Sequence, residues 1–337
     1  MKQKNILLGH GSGGHLTHDL IESVFLKHFS NPTLNLLSDA ALIDTEKGKI
    51  AYTTDSFVVD PLFFPGGDIG KLAIAGTVND LAVQGASPAY LSAGFILEEG
   101  LSVETLEKVV QSMAEEAVNA GIQIVTGDTK VVERGKCDKI FINTSGIGFF
   151  DVNFSALGIE HIKVGDKILI NGSIGDHGMA VMSARNQLNI SSKIASDCAC
   201  LNGLIDSLNE FKSQIRFMRD ATRGGLTTVS AELCKHQDFG IKLFEEKIPV
   251  DEGVRGICEL LGFDPLYVAN EGKVVMVVSN EISEQILDKM KKHTLGKSAA
   301  IIGEVTSANA GKCYLETQIG GNRIVDMLAG EQLPRIC

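Results

Sequence analysis

The sequence predicts an α+β protein of two domains built on mixed sheets. Three observations lead there. At 337 residues the chain is too long for one ordinary core. Strand-like and helix-like apolar patterns alternate along it, yet never as a regular parallel strand–helix–strand series. The pattern weakens between Asp151 and Asp166, which separates residues 1–155 from residues 156–328 and leaves 329–337 as a tail. Composition agrees: 44% hydrophobic and 22% charged residues are ordinary for a globular chain. The 36 glycines point to many tight turns and close backbone approaches.

The elements follow in order. A short apolar stretch, Ile6 to Leu8, leads into the glycine string from Gly9 to His15, and Leu16, Leu20, Val24 and Phe25 then recur at helical spacing. Residues 50–59 are β-branched and aromatic, hence a strand. Residues 68–85 are small or apolar on most faces, hence a buried helix. A strand at 91–97 follows. Ser102 caps the next helix, with Leu101 and Leu106 as a hydrophobic staple, and Gly121 ends it. Strands are expected at 122–132 and 140–150. The second half repeats the mixture, with strands at 167–174, 215–219, 240–244, 273–279, 299–305 and 313–317. Helices are expected at 178–188, 197–209, 226–236 and 283–292.

Net charge is −11, which disfavours nucleic acid or an anionic membrane as the main partner. Phosphates would then be bound through backbone amides and metal ions. The seven cysteines contain no CxxC pair, so neither a zinc ribbon nor a disulfide framework is expected. With neither a signal-peptide pattern nor a membrane-length apolar run, a soluble, cytoplasmic protein is expected.

The string Gly9-His-Gly11-Ser-Gly13-Gly14-His15 formally matches GxGxxG. The preceding strand is too short for a dinucleotide fold, so the reading is an anion nest at a helix N-terminus or a plain glycine turn. His15 and His18 lie one helical turn apart, but with no further ligand at a telling distance they read as solvent-facing or phosphate-contacting rather than as a metal site. More informative are five isolated aspartates in apolar or glycine-rich company: Asp39, Asp55, Asp80, Asp128 and Asp220. Each alone also reads as a cap or turn residue. Together with the glycine nest they are the combination expected for Mg²⁺ holding a nucleoside triphosphate. Lys130 lies two positions after Asp128 on one strand, so both share a face. The chain ends on Cys337, which reads either as a frayed end or as a mobile thiol on a short arm, with Gly330 as hinge and Pro334 as stiffener.

The strings Thr53-Thr-Asp55, Val78-Asn-Asp80-Leu-Ala-Val-Gln-Gly-Ala86, Thr126-Gly-Asp128-Thr129 and Asp220-Ala-Thr-Arg223-Gly224-Gly225-Leu226 resemble the ATP-binding superfamily of aminoimidazole ribonucleotide synthetase and selenophosphate synthetase. Within it, His10-Gly-Ser-Gly-Gly14, Phe57 to Gly67, Val125 to Val132 and the terminal Pro334-Arg-Ile-Cys337 resemble the HypE family of hydrogenase-maturation carbamoyl dehydratases. The resemblance runs end to end. It implies an N-terminal ATP-binding domain that forms a sheet-mediated homodimer, and a C-terminal α/β sandwich domain with a flexible tail. It implies a carbamoyl group loaded on Cys337 by the carbamoyltransferase HypF, dehydrated with ATP to a thiocyanate, and passed as cyanide to iron on a HypC–HypD complex. Asp55, Asp80 and Asp220 would hold Mg²⁺. Gly11, Gly13, Gly14, Asp39, Asp128, Arg223, Gly224 and Gly225 would bind ATP. Lys130 would face the phosphate or developing oxyanion, and Glu271 would accept a proton. Two rival readings remain: a superfamily kinase or synthetase acting on a free small molecule, for which the terminal cysteine has no use, and a non-catalytic thiol carrier, for which the carboxylates have none.

Overall fold

The computed structural model describes residues 6–46, 48–151, 157–185, 193–328, 333 and 335–337. Chain order begins with α1 (His15–Leu20), a π turn at Ile21–Phe25 and α2 (Leu26–Phe29), so the helical spacing at the N-terminus is realised with a break in its middle. Then come β1 (Ala41–Thr45), β2 (Gly48–Phe57), β3 (Phe63–Phe64), β4 (Gly67–Asp68), α3 (Ile69–Val83), β5 (Ser87–Glu98), α4 (Val103–Ala120), β6 (Gln123–Val132) and β7 (Ile140–Phe149). Five of these strands form one sheet in the order β1-β2-β7-β5-β6, antiparallel except for β5 and β6.

Helix α3 is the keystone of this half. Its small and apolar residues bury nearly every face, and Asp68 caps it by accepting from the Gly70 and Lys71 amides at 2.7 and 3.2 Å. At Gly70 a Cβ would come within 2.3 Å of the Val109 carbonyl, so glycine lets α3 and α4 approach closely. Helix α4 starts and stops as its caps dictate, with the Ser102 hydroxyl accepting from Thr105 N–H at 3.1 Å and Gly121 left-handed at φ 71°.

The remaining elements are β8 (Lys167–Ile170), α5 (Asp176–Ala184), α6 (Asn202–Asp206), β9 (Ile215–Asp220), α7 (Gly225–Cys234), β10 (Gly240–Phe244), α8 (Glu252–Leu261), β11 (Val274–Val278), α9 (Ser283–Lys292), β12 (Ala300–Thr306), β13 (Cys313–Glu316) and β14 (Asn322–Val325). Seven strands make a second sheet in the order β14-β13-β10-β12-β8-β11-β9, mixed because β10 and β13 run parallel. Strand β11 is buried at every position and lies between β8 and β9.

Some sequence expectations are corrected. The helix expected over 197–209 is reduced to α6, because Asp197 is drawn to the far side of the chain. Its carboxylate accepts from the Glu271 and Gly272 amides and pairs with Lys273 at 2.8 Å, which holds its segment out of helical geometry. The strand expected to reach Ile174 stops at Ile170. Helix α8 and strands β1, β3, β4 and β14 are additional. The expected helix over 178–188 begins at Asp176, and its last residues, like Gly330 and Pro334, lie outside the described residues.

The two halves meet through α3. The Asn79 side chain donates to the carbonyls of Ala199 and Glu271 and accepts from the Leu201 amide at 2.7 Å. The end of the chain packs there as well. Ile336 is 4% exposed in the core cluster containing α3, with Leu333 and Cys337 against it.

Candidate active site

A cleft of about 550 Å³ opens between the halves, lined from the N-terminal side by Asp39, Thr53, Asp55 and Asp80 and from the C-terminal side by Arg219, Asp220 and Arg223. Asp55 sits on β2, and Asp80 near the end of α3 faces the same cleft. Asp220 ends β9, where the strand breaks into the Thr222–Gly225 turn. Asp39 lies just ahead of β1. Elements from both halves therefore bring four of the five singled-out aspartates together.

Their charges are poorly compensated. Asp80 accepts from the Thr53 hydroxyl at 2.8 Å. Burial, reinforced by the charges of Asp55, Asp220 and Asp39, holds its carboxyl well above the usual range. Burial and the charge of Asp39 push Asp220 up to about 8, against the pull of Arg219. Asp55 is raised by burial too, although Arg223 and a hydrogen bond with the Asp80 carboxyl oppose the shift. Among the described residues, Asp39 alone of the four has a direct cationic partner, Arg219 Nε at 3.0 Å, and its carboxyl is still raised by burial. Arg219 also pairs with Glu232 at 2.7 Å, and Glu232 meets His18 Nε2 at 2.6 Å. That chain of ion pairs ties α1 to the cleft floor. Clustered hard oxygen donors that repel one another suit Mg²⁺, which keeps several waters and needs few protein ligands beside a polyphosphate. Among the described residues no group of three or more His, Cys, Asp or Glu side chains is already arranged around a metal position.

The glycines divide into two roles. Arg223 donates to the Gly11 carbonyl at 2.6 Å and packs under Gly13, so the N-terminal string closes one wall of the cleft. Gly14 serves packing, since a Cβ there would lie 2.0 Å from the Leu328 carbonyl. Gly224 and Gly225 have φ of 77° and 62°, the left-handed region where glycine is favoured, and they lead into the N-terminus of α7, with the Gly225 amide donating to the Thr222 carbonyl at 3.0 Å.

Cys337 adjoins this cleft rather than hanging free. A smaller cavity of about 190 Å³ is lined by Gly11, Arg223, Gly224, Arg335 and Cys337. Burial pushes the Cys337 thiol up to about 12, with Arg223 pulling down and Glu271, Asp55 and Asp220 adding to the rise. Glu271 is 3% exposed, its Oε1 has no hydrogen-bond partner, and burial with the charges of Asp220 and Asp197 raises its carboxyl well above the usual range. A buried carboxyl with an unpartnered oxygen is equipped to take a proton.

Asp128 and Lys130 are not brought to this cleft within one chain. They form an exposed ion pair at 2.5 Å on β6, the outermost strand. Register places Asp128 beside Gly94, Gly94 beside Asn143 and Asn143 beside Ser56, so β5 and β7 separate them from β2. The three N-terminal histidines do not converge either: His10 bonds the Leu7 backbone, His15 lies 3.6 Å from Asp326, and His18 belongs to the Glu232 pair. Sequence reasoning passed over Arg219, Glu232 and His177. Arg219 could have been found, since it directly precedes Asp220. His177 gave no local signal.

Two domain-family models match the chain. The model of the AIR synthase related protein N-terminal domain matches residues 37–150, and that of the C-terminal domain matches residues 163–316. Carbamoyl dehydratase HypE of Escherichia coli K12 is 49% identical over 99% of this chain and 99% of its own. A crystal structure of a HypE–HypF complex superposes with a TM-score of 0.86 at 52% identity, covering 92% of this chain and 99% of that one. A hydrogenase maturation protein HypE crystallised with ATP superposes at 0.82 with 49% identity, covering 99% and 100%. With near-complete coverage, high identity and a shared two-domain fold, the chain belongs, within the AIR synthase related proteins, to the HypE carbamoyl dehydratase family.

Proposed function

We propose that the protein acts in hydrogenase maturation as an ATP-dependent carbamoyl dehydratase whose substrate is carried on its own Cys337. The observation that carries the proposal is the Cys337 sulfur sharing a cavity with Arg223, which also lines the cleft of the four aspartates. A free-substrate kinase has no use for such a thiol, and a passive carrier has no use for the carboxylates. The relatives crystallised with ATP and with HypF support ATP as substrate and a carbamoyltransferase as partner. A HypC–HypD iron complex is the proposed acceptor of the cyanide.

The chemistry follows from the groups present. The amide oxygen of a thiocarbamate is a poor leaving group. Transfer of the γ-phosphoryl of ATP to that oxygen, with loss of one N–H proton, gives an S-bound carbamimidic phosphate and ADP. Loss of the second N–H proton and cleavage of the C–O bond then release phosphate and leave S–C≡N. Glu271, buried with an unpartnered Oε1, would accept a proton, and Arg223, which lines the cavity of Cys337, would steady the oxygen as charge develops. Asp55, Asp80 and Asp220 would hold Mg²⁺, which supplies charge neutralisation for the transferring phosphoryl group. The glycines at Gly11, Gly13, Gly224 and Gly225 would offer backbone to the phosphates, and Arg219 fixes Asp39 in the wall.

Asp128 and Lys130 reach a cleft through a second copy of the chain. Strand β6 is an open edge carrying exposed Ile124, Val125 and Val131, features that favour pairing across a homodimer. The proposal is tested by intact mass after incubation with carbamoyl phosphate, ATP and the transferase. Cys337 should gain one carbamoyl group, which loses one water when ATP and Mg²⁺ are supplied. An adduct formed equally on Cys337→Ala would refute it.

A further inference from the structure

We propose that His177 is a positioning residue that latches the C-terminal arm inward, a role resting on the reading of Cys337 as substrate carrier. The arm lies along the segment that follows β2. Val58 N–H donates to the Cys337 carbonyl oxygen at 3.1 Å, and Asp60 N–H to that of Arg335 at 3.3 Å. Arg335 Nε returns a bond to the Val58 carbonyl at 3.0 Å, and Arg185 Nη2 donates to the Arg335 carbonyl at 2.9 Å. Such a ladder uses alternate carbonyls, those of Arg335 and Cys337, and leaves that of Ile336 turned the other way. Ile336 is 4% exposed, so its carbonyl enters the interior each time the arm docks and would lack a partner there.

His177 supplies that partner. Its Nε2 lies 2.8 Å from the Ile336 oxygen, and a carbonyl can only accept, so Nε2 carries the hydrogen. Nδ1 is then the acceptor, 2.8 Å from the Ser196 hydroxyl, which itself accepts from Cys198 N–H at 3.0 Å. The Phe64 ring meets the imidazole edge-on at 5.4 Å. The ring is fully buried on the first turn of α5, and its Nδ1 is held by Ser196 independently of the arm. Its remaining charged neighbours, Asp197 and Lys273, pair with each other. The site therefore presents one preset donor, at the one main-chain carbonyl adjoining the reactive residue.

The test compares the full-length parental protein with His177→Ala and with His177→Gln, whose amide nitrogen can stand in for Nε2. The rate of Cys337 alkylation by iodoacetamide at pH 8, read on the C-terminal peptide, should rise about tenfold in His177→Ala and return toward the parental rate in His177→Gln. Alkylation of buried Cys198 should stay slow in all three. The maximal rate of ATP-dependent dehydration should fall with the rise in alkylation, while the half-saturating ATP concentration is unchanged. Parental alkylation of Cys337 in folded His177→Ala overturns the latch. If that variant does not fold, Ser196→Ala decides: faster alkylation supports the latch and an unchanged rate overturns it. Alkylation needs no carbamoyl chemistry, so faster alkylation in a protein that never dehydrates would keep the latch and remove the function.

Discussion

At the scale of single residues, the site gathers carboxylates with few cationic partners in one partly buried cleft. Among the described residues, Asp80 has the Thr53 hydroxyl and the Asp55 carboxyl as its hydrogen-bond partners. Asp80→Asn should still accept a carbamoyl group on Cys337 but dehydrate it at least about 100-fold more slowly, as measured by single-turnover mass analysis. Glu271→Gln should slow the same step by a similar factor and leave ATP binding intact, checked by calorimetric titration. The thiol carries its own pH dependence. Docking raises Cys337 from its free value of 9.0 to about 12, so inward docking is fully favoured below pH 9 and weakens as pH rises from there toward 12. Cys337 alkylation should therefore climb more steeply with pH than that of a free cysteine. These aspartates were legible in the sequence because charge in apolar company needs a reason. His177 was not, because its partner Ile336 lies 159 residues away.

At the scale of elements, α3 and α4 were legible almost residue by residue. Buried composition defined the first, and Ser102 and Gly121 bounded the second. Strand order was not legible, because periodicity reports which face of a strand is buried and never which strand lies beside it. That is why Asp128 and Lys130 were grouped with Asp55 in sequence yet stand at the far edge of the sheet. The proposed homodimer repairs the separation and can be checked by complementation. Asp80→Asn and Asp128→Asn chains should each be inactive alone. Mixed after dissociation, half the dimers would be hybrid, each with one intact site, restoring about a quarter of the parental dehydration rate. No recovery on mixing would show that β6 does not serve a neighbour's cleft.

At the scale of the whole molecule, two sheets and a buried helix bring together carboxylates that repel one another, and a cleft between halves is where such tension can be relieved by a ligand. The raised carboxyls set a direction. Asp220, at about 8 in the folded protein against 3.8 free, contributes stability below pH 3.8 and loses that contribution as pH climbs toward 8. Thermal melting should then show a larger gain from Mg²⁺ with a non-hydrolysable ATP analogue at pH 8.5 than at pH 6, where the cluster keeps more of its protons. Equal gains at both pH values would detach the aspartates from the metal.

The central claim is that phosphoryl transfer activates the carbamoyl oxygen of the group on Cys337. Loading the thiol with a carbamoyl group labelled with heavy oxygen, then adding unlabelled ATP and Mg²⁺, follows that atom directly. The account predicts that the label leaves in inorganic phosphate, one heavy oxygen for each thiocyanate formed. Thiocyanate appearing with unlabelled phosphate, and the heavy oxygen in water, would contradict it.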